Sequence, residues 1–301
     1  MAASPLARRR VFAALGVVYV VWGSTYLAIR VMVRTVPPLV GAGTRFLLAG
    51  AILAALVLVR SPATFRGVTG RQARNAATTG LLILMGGIGL VTVAEQHVDS
   101  AMAALVIASI PLWIVVLRRL HDERIERRTI GAVAVGFAGL VILLRPGAPG
   151  AGVASLVALV SAAVLTAIGS FYSKRMEMPA DVSVATVIEM AAAGAGLVVA
   201  GIAAGELTGF SSSDVSAESL LSFVYLVTVG SVVAYSAFVW LLANAKVSTV
   251  ATYAYVNPVV AVVLGVAILD EDVSPSMAAG ALAIVLSVVM IVRSEEAERA
   301  G

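Results

Sequence analysis

Long apolar stretches, separated by short polar breaks, follow one another along the whole chain. A bilayer core about 30 Å thick is crossed by roughly 20 consecutive, mostly apolar residues in a helix. Ten stretches approach this length, and the fifth is the shortest. They cover residues 11–33, 39–59, 75–95, 100–117, 129–144, 152–173, 182–204, 219–243, 248–269 and 275–293. The pattern predicts an all-α integral membrane protein with ten transmembrane helices.

Composition supports a membrane location. Of the 301 residues, 60% are hydrophobic and only 13% are charged, and the mean hydropathy is +1.01. Soluble domains carry about 25% charged residues. So much apolar surface cannot be hidden from water inside one core of this size, so lipid must cover it. The chain has no cysteine, which excludes a disulfide framework and any cysteine-bound zinc or iron–sulfur site.

The charges are distributed unevenly between alternate breaks. Most of the 21 lysines and arginines precede the first stretch or follow the even-numbered ones, with clusters in 60–74 and 118–128. Breaks on the other side are acidic, as in 206–218 and 270–272. Because positive loops stay in the cytoplasm, this bias predicts that both termini are cytoplasmic. The richness in arginine and alanine suits a GC-rich bacterial genome, so we expect a multi-pass protein of a bacterial cytoplasmic membrane.

The last two helices of each half share a pattern. The spacing between matching residues is 147 to 149 positions, so we divide the chain into repeats 1–146 and 147–301. Each repeat holds five helices, and an odd number makes the second repeat enter the membrane inverted. Inverted repeats allow a site between them to open to each side in turn. The matching residues are Pro111 and Pro258, Glu123 and Glu271, and Gly131 and Gly280.

Several short motifs occur in order along nearly the whole chain. They are Trp22-Gly23-Ser24-Thr25-Tyr26, Arg45-Phe46, Thr92-Val93-Ala94-Glu95, the alanine-rich stretch before Pro111, and Tyr253-Ala254-Tyr255-Val256-Asn257-Pro258. On ten helices with an inverted repeat, they resemble the EamA-type branch of the drug/metabolite transporter superfamily. The resemblance implies an exporter-like carrier with a central cavity between the halves. Members of that family move amino acids, nucleobase-like compounds or other small metabolites.

Two prolines lie inside predicted helices at matching places of the repeat. Pro111 and Pro258 each remove a backbone donor and free a carbonyl one turn earlier. Protein, water or a ligand must then satisfy that carbonyl in lipid. Both are therefore candidates for a helix break or hinge beside the cavity. The alternative is a structural kink that neighbouring helices hold.

The candidate substrate-binding residues are polar or aromatic and lie within predicted spans. Trp22 and Tyr26 share one face of the first helix, as an aromatic cavity wall would require. Tyr253 and Asn257 share a face of the ninth, where an amide can both donate and accept. Interfacial anchoring of the aromatics and an interhelical amide bond are the alternatives. The full set is Trp22, Ser24, Tyr26, Trp113, Tyr253 and Asn257.

Arg45, Glu95 and Glu189 are the charged residues inside spans that are candidates for gating or proton coupling, whereas Arg30 is expected to reach outward from the end of its helix. Arg45 and Glu95 occupy the outer ends of consecutive helices, so we predict that they pair and form either a structural contact or an outer gate. Glu189 has no cationic neighbour in its own span. An unpaired buried carboxyl can bind and release a proton, so Glu95 and Glu189 are candidates for proton coupling.

The chain lacks the residues that nucleotide hydrolysis, metal binding or catalysis within the membrane would need. No phosphate-binding G-x-x-x-x-G-K-[ST] loop occurs, so the chain does not hydrolyse nucleotides itself. His97 and His121 stand alone, and we expect no metal, no other cofactor and no catalytic residue. The spans hold no aspartate pair or serine–histidine set for a membrane-embedded enzyme. The expected partners are the lipid bilayer and a small-molecule substrate, without nucleic acid; spacing of small residues does not predict an oligomeric state.

The predicted function is therefore secondary transport. We expect export of small metabolites, such as amino acids or related compounds, by alternating access between the two inverted repeats. Import is the main alternative, because gradients and coupling decide direction. A passive pore for small solutes is a further alternative, and a membrane-embedded enzyme is the weakest one.

Overall fold

The protein was analysed as a computed structural model that describes residues 5–144, 152–245 and 247–300. All its regular structure in those ranges is helical, which confirms the predicted fold class. The ten helices are α1 (Pro5–Met32), α2 (Pro38–Arg60), α3 (Gly70–Ala94), α4 (Ser100–Leu120), α5 (Arg127–Leu143), α6 (Val153–Ser173), α7 (Val182–Ala203), α8 (Ala217–Asn244), α9 (Val247–Ala251 and Tyr253–Leu269) and α10 (Pro275–Ala300). Short 3₁₀ turns lie at Pro62–Phe65 and Ser212–Asp214.

Within the described ranges, nine of these helices are long and apolar enough to cross a membrane. The remaining one, α5, has 17 residues and is the helix that the sequence predicts to be short. At 1.5 Å per residue it rises about 25 Å, at the lower limit for a membrane span. Large apolar side chains such as Val59, Val199 and Leu221 point outward along the bundle, as contact with lipid requires.

Helix ends lie where side chains can satisfy the free backbone amides. Thr69 and Gln72 form a reciprocal capping box at the start of α3. Asp181 accepts hydrogen bonds from the first amides of α7. The Glu206 carboxylate, after α7, accepts from the amides of Leu39 and Val40 at 2.9–3.0 Å and so caps α2. The Glu206 contact also ties the end of α7 to the start of α2.

Pairs of glycines allow two helix pairs to approach closely. A Cβ on Gly43 of α2 would lie 2.7 Å from the carbonyl oxygen of Gly194 on α7, and a Cβ on Gly194 would be 2.8 Å from that of Gly43. Gly139 of α5 and Gly280 of α10 show the same reciprocal contact at 2.9 Å. Only glycine fits where two backbones touch, which is how small residues associate helices in membranes.

The helix contacts are repeated when the first five helices are exchanged with the second five. The pairs α2–α7 and α5–α10 map onto themselves, α1–α9 maps onto α6–α4, and α3–α7 maps onto α8–α2. The two sets are inverted because each contains an odd number of antiparallel helices. We call the end of the bundle where α1 begins the near end and the opposite end the far end. The predicted boundary between the repeats, at residues 146 and 147, lies outside the described residues.

Irregular backbone occurs at matching places of the two sets. π-Helical turns occupy Leu81–Gly89 in α3 and Leu226–Val233 in α8. α4 is broken after Ile107 and resumes at Ile110, and α9 is broken at Thr252. π-Helical turns are rare and concentrate at functional sites. We therefore expect a functional site near these four irregular segments, in the interior between the two sets of helices.

Candidate substrate-binding cavity

A cavity of about 570 Å³ lies between the two sets of helices and opens toward the near end. Helices α1, α4, α6, α8 and α9 contribute its walls. The lining is mainly apolar, with a few hydroxyl, amide and aromatic groups. The lining residues are Tyr26, Ala104, Ile107, Ala108, Ile110, Pro111, Ile114, Thr166, Ser170, Ser173, Lys174, Phe238, Leu242, Val250, Ala251, Tyr253, Ala254, Asn257 and Pro258. A volume and lining of this kind are typical of small-molecule sites.

Aromatic rings form one wall of this cavity. Phe238 of α8 and Tyr253 of α9 both line it, with ring centroids 5.7 Å apart and nearly perpendicular planes. Trp22 of α1 packs behind them, 5.0 Å from Phe238 and 5.2 Å from Tyr253. Of the two aromatic residues predicted to line the cavity from α1, Tyr26 does so, whereas Trp22 packs behind the wall. Phe238 lies in a uniformly apolar run, and nothing in the sequence distinguishes it.

Asn257 brings an unsatisfied polar group to the cavity. Asn257 is 9% exposed, and its side-chain amide oxygen has no hydrogen-bond partner within the described structure. A buried acceptor left unpaired costs about 1–3 kcal/mol, so a ligand donor would be bound favourably. Gly23 of α1 touches the adjoining turn of α9, where a Cβ would lie 2.6 Å from Val260. Glycine at this position therefore lets α1 pack directly beside Asn257.

A row of hydroxyl groups on α6 forms the opposite wall. Thr166, Ser170 and Ser173 are spaced by four and three residues, so they share one helix face. Sequence reasoning missed this row, although its spacing was visible. Lys174 at the near-end mouth is the one charged residue among those that line the cavity. The interior is therefore neutral, with hydrogen-bonding groups on two facing walls.

Besides Trp22, two further predicted substrate-binding residues lie outside the lining. Ser24 shares a hydrogen bond of 2.6 Å with the Tyr225 hydroxyl on α8. Trp113 donates to the Ser109 hydroxyl at 3.2 Å and packs edge-on against Phe137 of α5. Their places follow from the rotation of α1 and α4 about their axes, which the sequence does not specify. Both side chains join helices in this conformation instead of contacting the cavity.

Both predicted prolines line the cavity, but their helices break differently. Pro111 lies in the first turn of the second segment of α4, directly after the break. Pro258 lies inside the second segment of α9, six residues beyond the break at Thr252. Proline fits the first turn of a helix without loss, whereas inside a helix it removes a hydrogen bond. The freed carbonyl is that of Ala254, which also lines the cavity.

The predicted pairing of Arg45 with Glu95 is not formed in this conformation. Arg45 is buried and donates to the Ser231 hydroxyl at 3.1 Å, and Ser231 donates to the Leu226 carbonyl in the π-helical turn of α8. Glu95 is fully buried, and neither carboxylate oxygen has a hydrogen-bond partner in the described part of the chain. The opened turn of α8 offers Arg45 a nearer acceptor, which the sequence did not reveal.

Glu189 lies on α7, about two turns from the near end, and outside the cavity lining. Its backbone touches Gly80 of α3, where a Cβ would be 2.4 Å from the Glu189 carbonyl oxygen. Within the described ranges, its carboxylate makes no hydrogen bond or ion pair. Glu95 and Glu189 therefore lie in different parts of the bundle, and neither contacts the cavity directly.

Charged groups outside the spans differ between the two ends. At the near end Glu123 accepts from Arg118 Nε at 2.7 Å and from Arg175, and the Arg118 bond lowers the pKa of Glu123 below its usual value. At the far end, burial and the nearby Glu271 carboxylate raise the pKa of Asp99, while Arg30 opposes that change. In the described ranges, no three acidic, histidine or cysteine side chains form a group that could hold a metal ion.

Comparisons with known proteins agree with this architecture. The model of the EamA-like transporter family matches residues 10–145 and again 153–293. An uncharacterized inner membrane transporter, YedA of Escherichia coli K12, is 38% identical over 282 residues, covering 93% of this chain and 90% of its own. Protein PecM of Dickeya dadantii is 25% identical, covering 90% and 88%. A solved crystal structure superposes with a TM-score of 0.62 at 22% identity, covering 96% and 98%, which shows the fold alone. The chain is a membrane transporter that belongs to the EamA-like transporter family.

Proposed function

We propose that the protein is a secondary transporter that exports small metabolites, such as amino acids or related compounds, by alternating access. The observation that carries this proposal is the cavity between the two sets of helices, open at the near end and lined by both. A carrier needs a site that both halves can close over in turn. The two proline-containing helices, α4 and α9, provide matching walls for such a movement.

The repeats proposed for this cycle are residues 1–146 and 147–301. Two separate matches of the family model and the exchange of helix contacts between the sets support this division. The matching π-helical turns in α3 and α8 support it as well. Two similarly built halves that are inserted in opposite senses have the same preferred conformations relative to opposite sides of the membrane. The inward-open and outward-open states are therefore similar in energy.

We place the near end, and with it both termini, in the bacterial cytoplasm. Arginines such as Arg118, Arg119 and Arg124 border this end, whereas Asp99 and Asp270 border the far end. This distribution follows the positive-inside rule. The open cavity would then face the cytoplasm and load substrate for export.

The lining suits a substrate with an apolar or aromatic body and at least one hydrogen-bond donor. Tyr253 and Phe238 can contact the body, and the unpaired oxygen of Asn257 can accept from the donor. The hydroxyl row on α6 faces them with further donors and acceptors. Aromatic or apolar amino acids and related amines fit this arrangement.

Glu95 is the preferred candidate for proton coupling. Its carboxylate is fully buried and has no hydrogen-bond partner in the described structure. Such a group is stable in lipid only when it is neutral or when a cation approaches it. Movement of Arg45 or Arg30 toward Glu95 would release its proton, so both arginines connect proton binding to helix movement. Glu189 is the second candidate, and Arg45 with Glu95 remains the proposed gate.

The test is flux of a labelled panel of amino acids and related metabolites into proteoliposomes of the purified protein, with and without a pH gradient. Saturable flux of one class that responds to the gradient supports a proton-coupled exporter. Saturable flux indifferent to the gradient supports an exchanger or uniporter and leaves the carboxylates without a coupling role. Non-saturable flux of many solutes would contradict the carrier and favour a pore.

A further inference from the structure

One carboxylate joins the two halves at the closed far end. Glu271, in the loop after α9, accepts hydrogen bonds from the amide and hydroxyl of Ser100 at 2.8 and 2.7 Å and from the amide of Ala101 at 3.0 Å. These groups begin α4, so the carboxylate ties α9 of the second half to α4 of the first. Gly265 makes room for it, because a Cβ there would lie 2.3 Å from the carboxylate.

The repeat contains the same residues at the near end. The shift of 148 residues that relates Glu123 to Glu271 also relates Ser100 to Ser248. Ser248 belongs to the first turn of α9, just as Ser100 begins α4. The residue before each glutamate is an aspartate with positive φ, 59° at Asp122 and 53° at Asp270. Left-handed backbone is uncommon outside glycine, so its recurrence shows that the two loops are built alike.

The near-end glutamate has arginine partners in this conformation. Glu123 accepts from Arg118 at the end of α4 and from Arg175, which follows α6. The cavity passes between α4 and α9 on this side, where Ile114 and Val250 line opposite walls. A contact between Glu123 and Ser248, the counterpart of the Glu271–Ser100 contact, would join α4 and α9 at the place where the cavity opens.

We propose that Glu271 and Glu123 are alternating latches of the transport cycle. Glu271 on Ser100 closes the far end in the conformation described here. In the opposite conformation Glu271 leaves Ser100, while Glu123 exchanges its arginines for Ser248 and closes the near end. A carboxylate that accepts two backbone or hydroxyl hydrogen bonds stabilises each closed end. This inference rests on the proposed alternating access and identifies the residues that would control it.

The test uses a single cysteine, because the natural chain has none. Ala254→Cys places a thiol in the cavity wall, and a membrane-impermeant maleimide is applied from one side of the membrane or the other. In the otherwise unchanged protein we expect labelling mainly from the near side. Glu271→Gln should raise far-side labelling about fivefold, since loss of one capping interaction shifts a two-state equilibrium by about that factor. Glu123→Gln should lower far-side labelling.

Matched controls lie beside each latch. Asp272→Asn and Asp122→Asn remove a charge from the same loops without touching a latch contact, and should leave both labelling rates unchanged. A disulfide between Ser100→Cys and Glu271→Cys, in the reporter background, should block far-side labelling, and reduction should restore it. A disulfide between Glu123→Cys and Ser248→Cys should block near-side labelling in the same way.

The outcomes separate this inference from the proposed function. If the reporter is labelled from both sides but Glu271→Gln leaves the ratio unchanged, the latch is wrong while alternating access stands. Failure of the Glu123–Ser248 disulfide to form, with the reporter still alternating, also overturns the inference. If the thiol is never reached from the far side in any variant, alternating access itself fails.

Discussion

At the scale of single residues, the polar groups in the bundle divide into satisfied and unsatisfied ones. Ser24 and Ser231 have partners on neighbouring helices, and these bonds hold the bundle together. Asn257 and Glu95 are buried without partners for their side-chain oxygen atoms in the described ranges. Unsatisfied buried groups cost free energy, so they mark the positions where a ligand or a proton has most to contribute.

Replacing Asn257 by alanine should reduce transport about tenfold while the protein still folds. The amide oxygen stabilises no neighbouring helix, so its loss should affect bound substrate and not the bundle. The measurement is initial flux in proteoliposomes together with the thermal unfolding midpoint. Asn244→Ala is the control, because Asn244 is exposed and its side chain donates to the Trp240 carbonyl of its own helix. Equal flux in both variants would remove Asn257 from the site.

Replacing Glu95 by glutamine should leave the unfolding midpoint unchanged or higher, because a buried carboxyl without a partner becomes a neutral amide. The variant should lose the response of flux to a pH gradient and retain exchange of substrate across the membrane. Glu189→Gln, measured beside it, tests the second candidate. If Glu95→Gln keeps its gradient response and Glu189→Gln loses it, the coupling role belongs to Glu189.

At the scale of elements, close glycine contacts and irregular turns determine how the helices meet. α2 and α7 touch backbone to backbone at Gly43 and Gly194. α4 and α9 are broken near their prolines, and α3 and α8 carry π-helical turns. Close backbone contacts in α2–α7 and α5–α10 therefore coexist with irregular backbone in α3, α4, α8 and α9. This contrast is what a carrier with a stable frame and moving walls requires.

A valine at Gly43 should destabilise the bundle by about 1–3 kcal/mol, because its side chain would overlap the backbone of α7. The unfolding midpoint in detergent should fall by several degrees. Gly16→Val is the matched control, since nothing lies within 4 Å of a Cβ at that position in α1. Similar midpoints for the two variants would show that α2 and α7 are not in backbone contact.

At the scale of the whole molecule, the inverted sets place the cavity between two similar halves. The near end is open and basic, while the far end is closed and acidic. Under the proposed alternating access, one conformation of such a molecule defines the contacts of the other, because the halves exchange roles. The latch residues were identified in this way, from a contact formed at the far end and from the matching residues at the near end.

The topology predicts that reporters fused to either terminus lie in the cytoplasm. A phosphatase fused to the C-terminus should be inactive and a fluorescent protein fused there should be bright, because an even number of spans returns the chain to its starting side. Fusions after α3, which ends at the far side, should give the reverse result. A periplasmic C-terminus would contradict ten spans.

The sequence by itself determined the membrane class, the positions of the helices and the family resemblance. These follow from the length of apolar runs, from charge and from local motifs, all of which are properties of nearby residues. Even the short α5 was visible as a 16-residue run at 129–144. Pro111, Pro258, Tyr253, Asn257 and Tyr26 were candidates from the sequence, and the structure places them around one cavity.

Only the tertiary structure decided which side chains share a space. Trp113 and Ser24 face neighbouring helices, Phe238 and the hydroxyl row of α6 face the cavity, and Arg45 bonds a π-helical turn instead of Glu95. In an apolar helix the periodicity that would mark an inner face is weak, because lipid and protein interior both accept apolar residues. The rotation of each helix is therefore determined by packing between helices, including the glycine contacts, and by bonds between residues far apart in the chain.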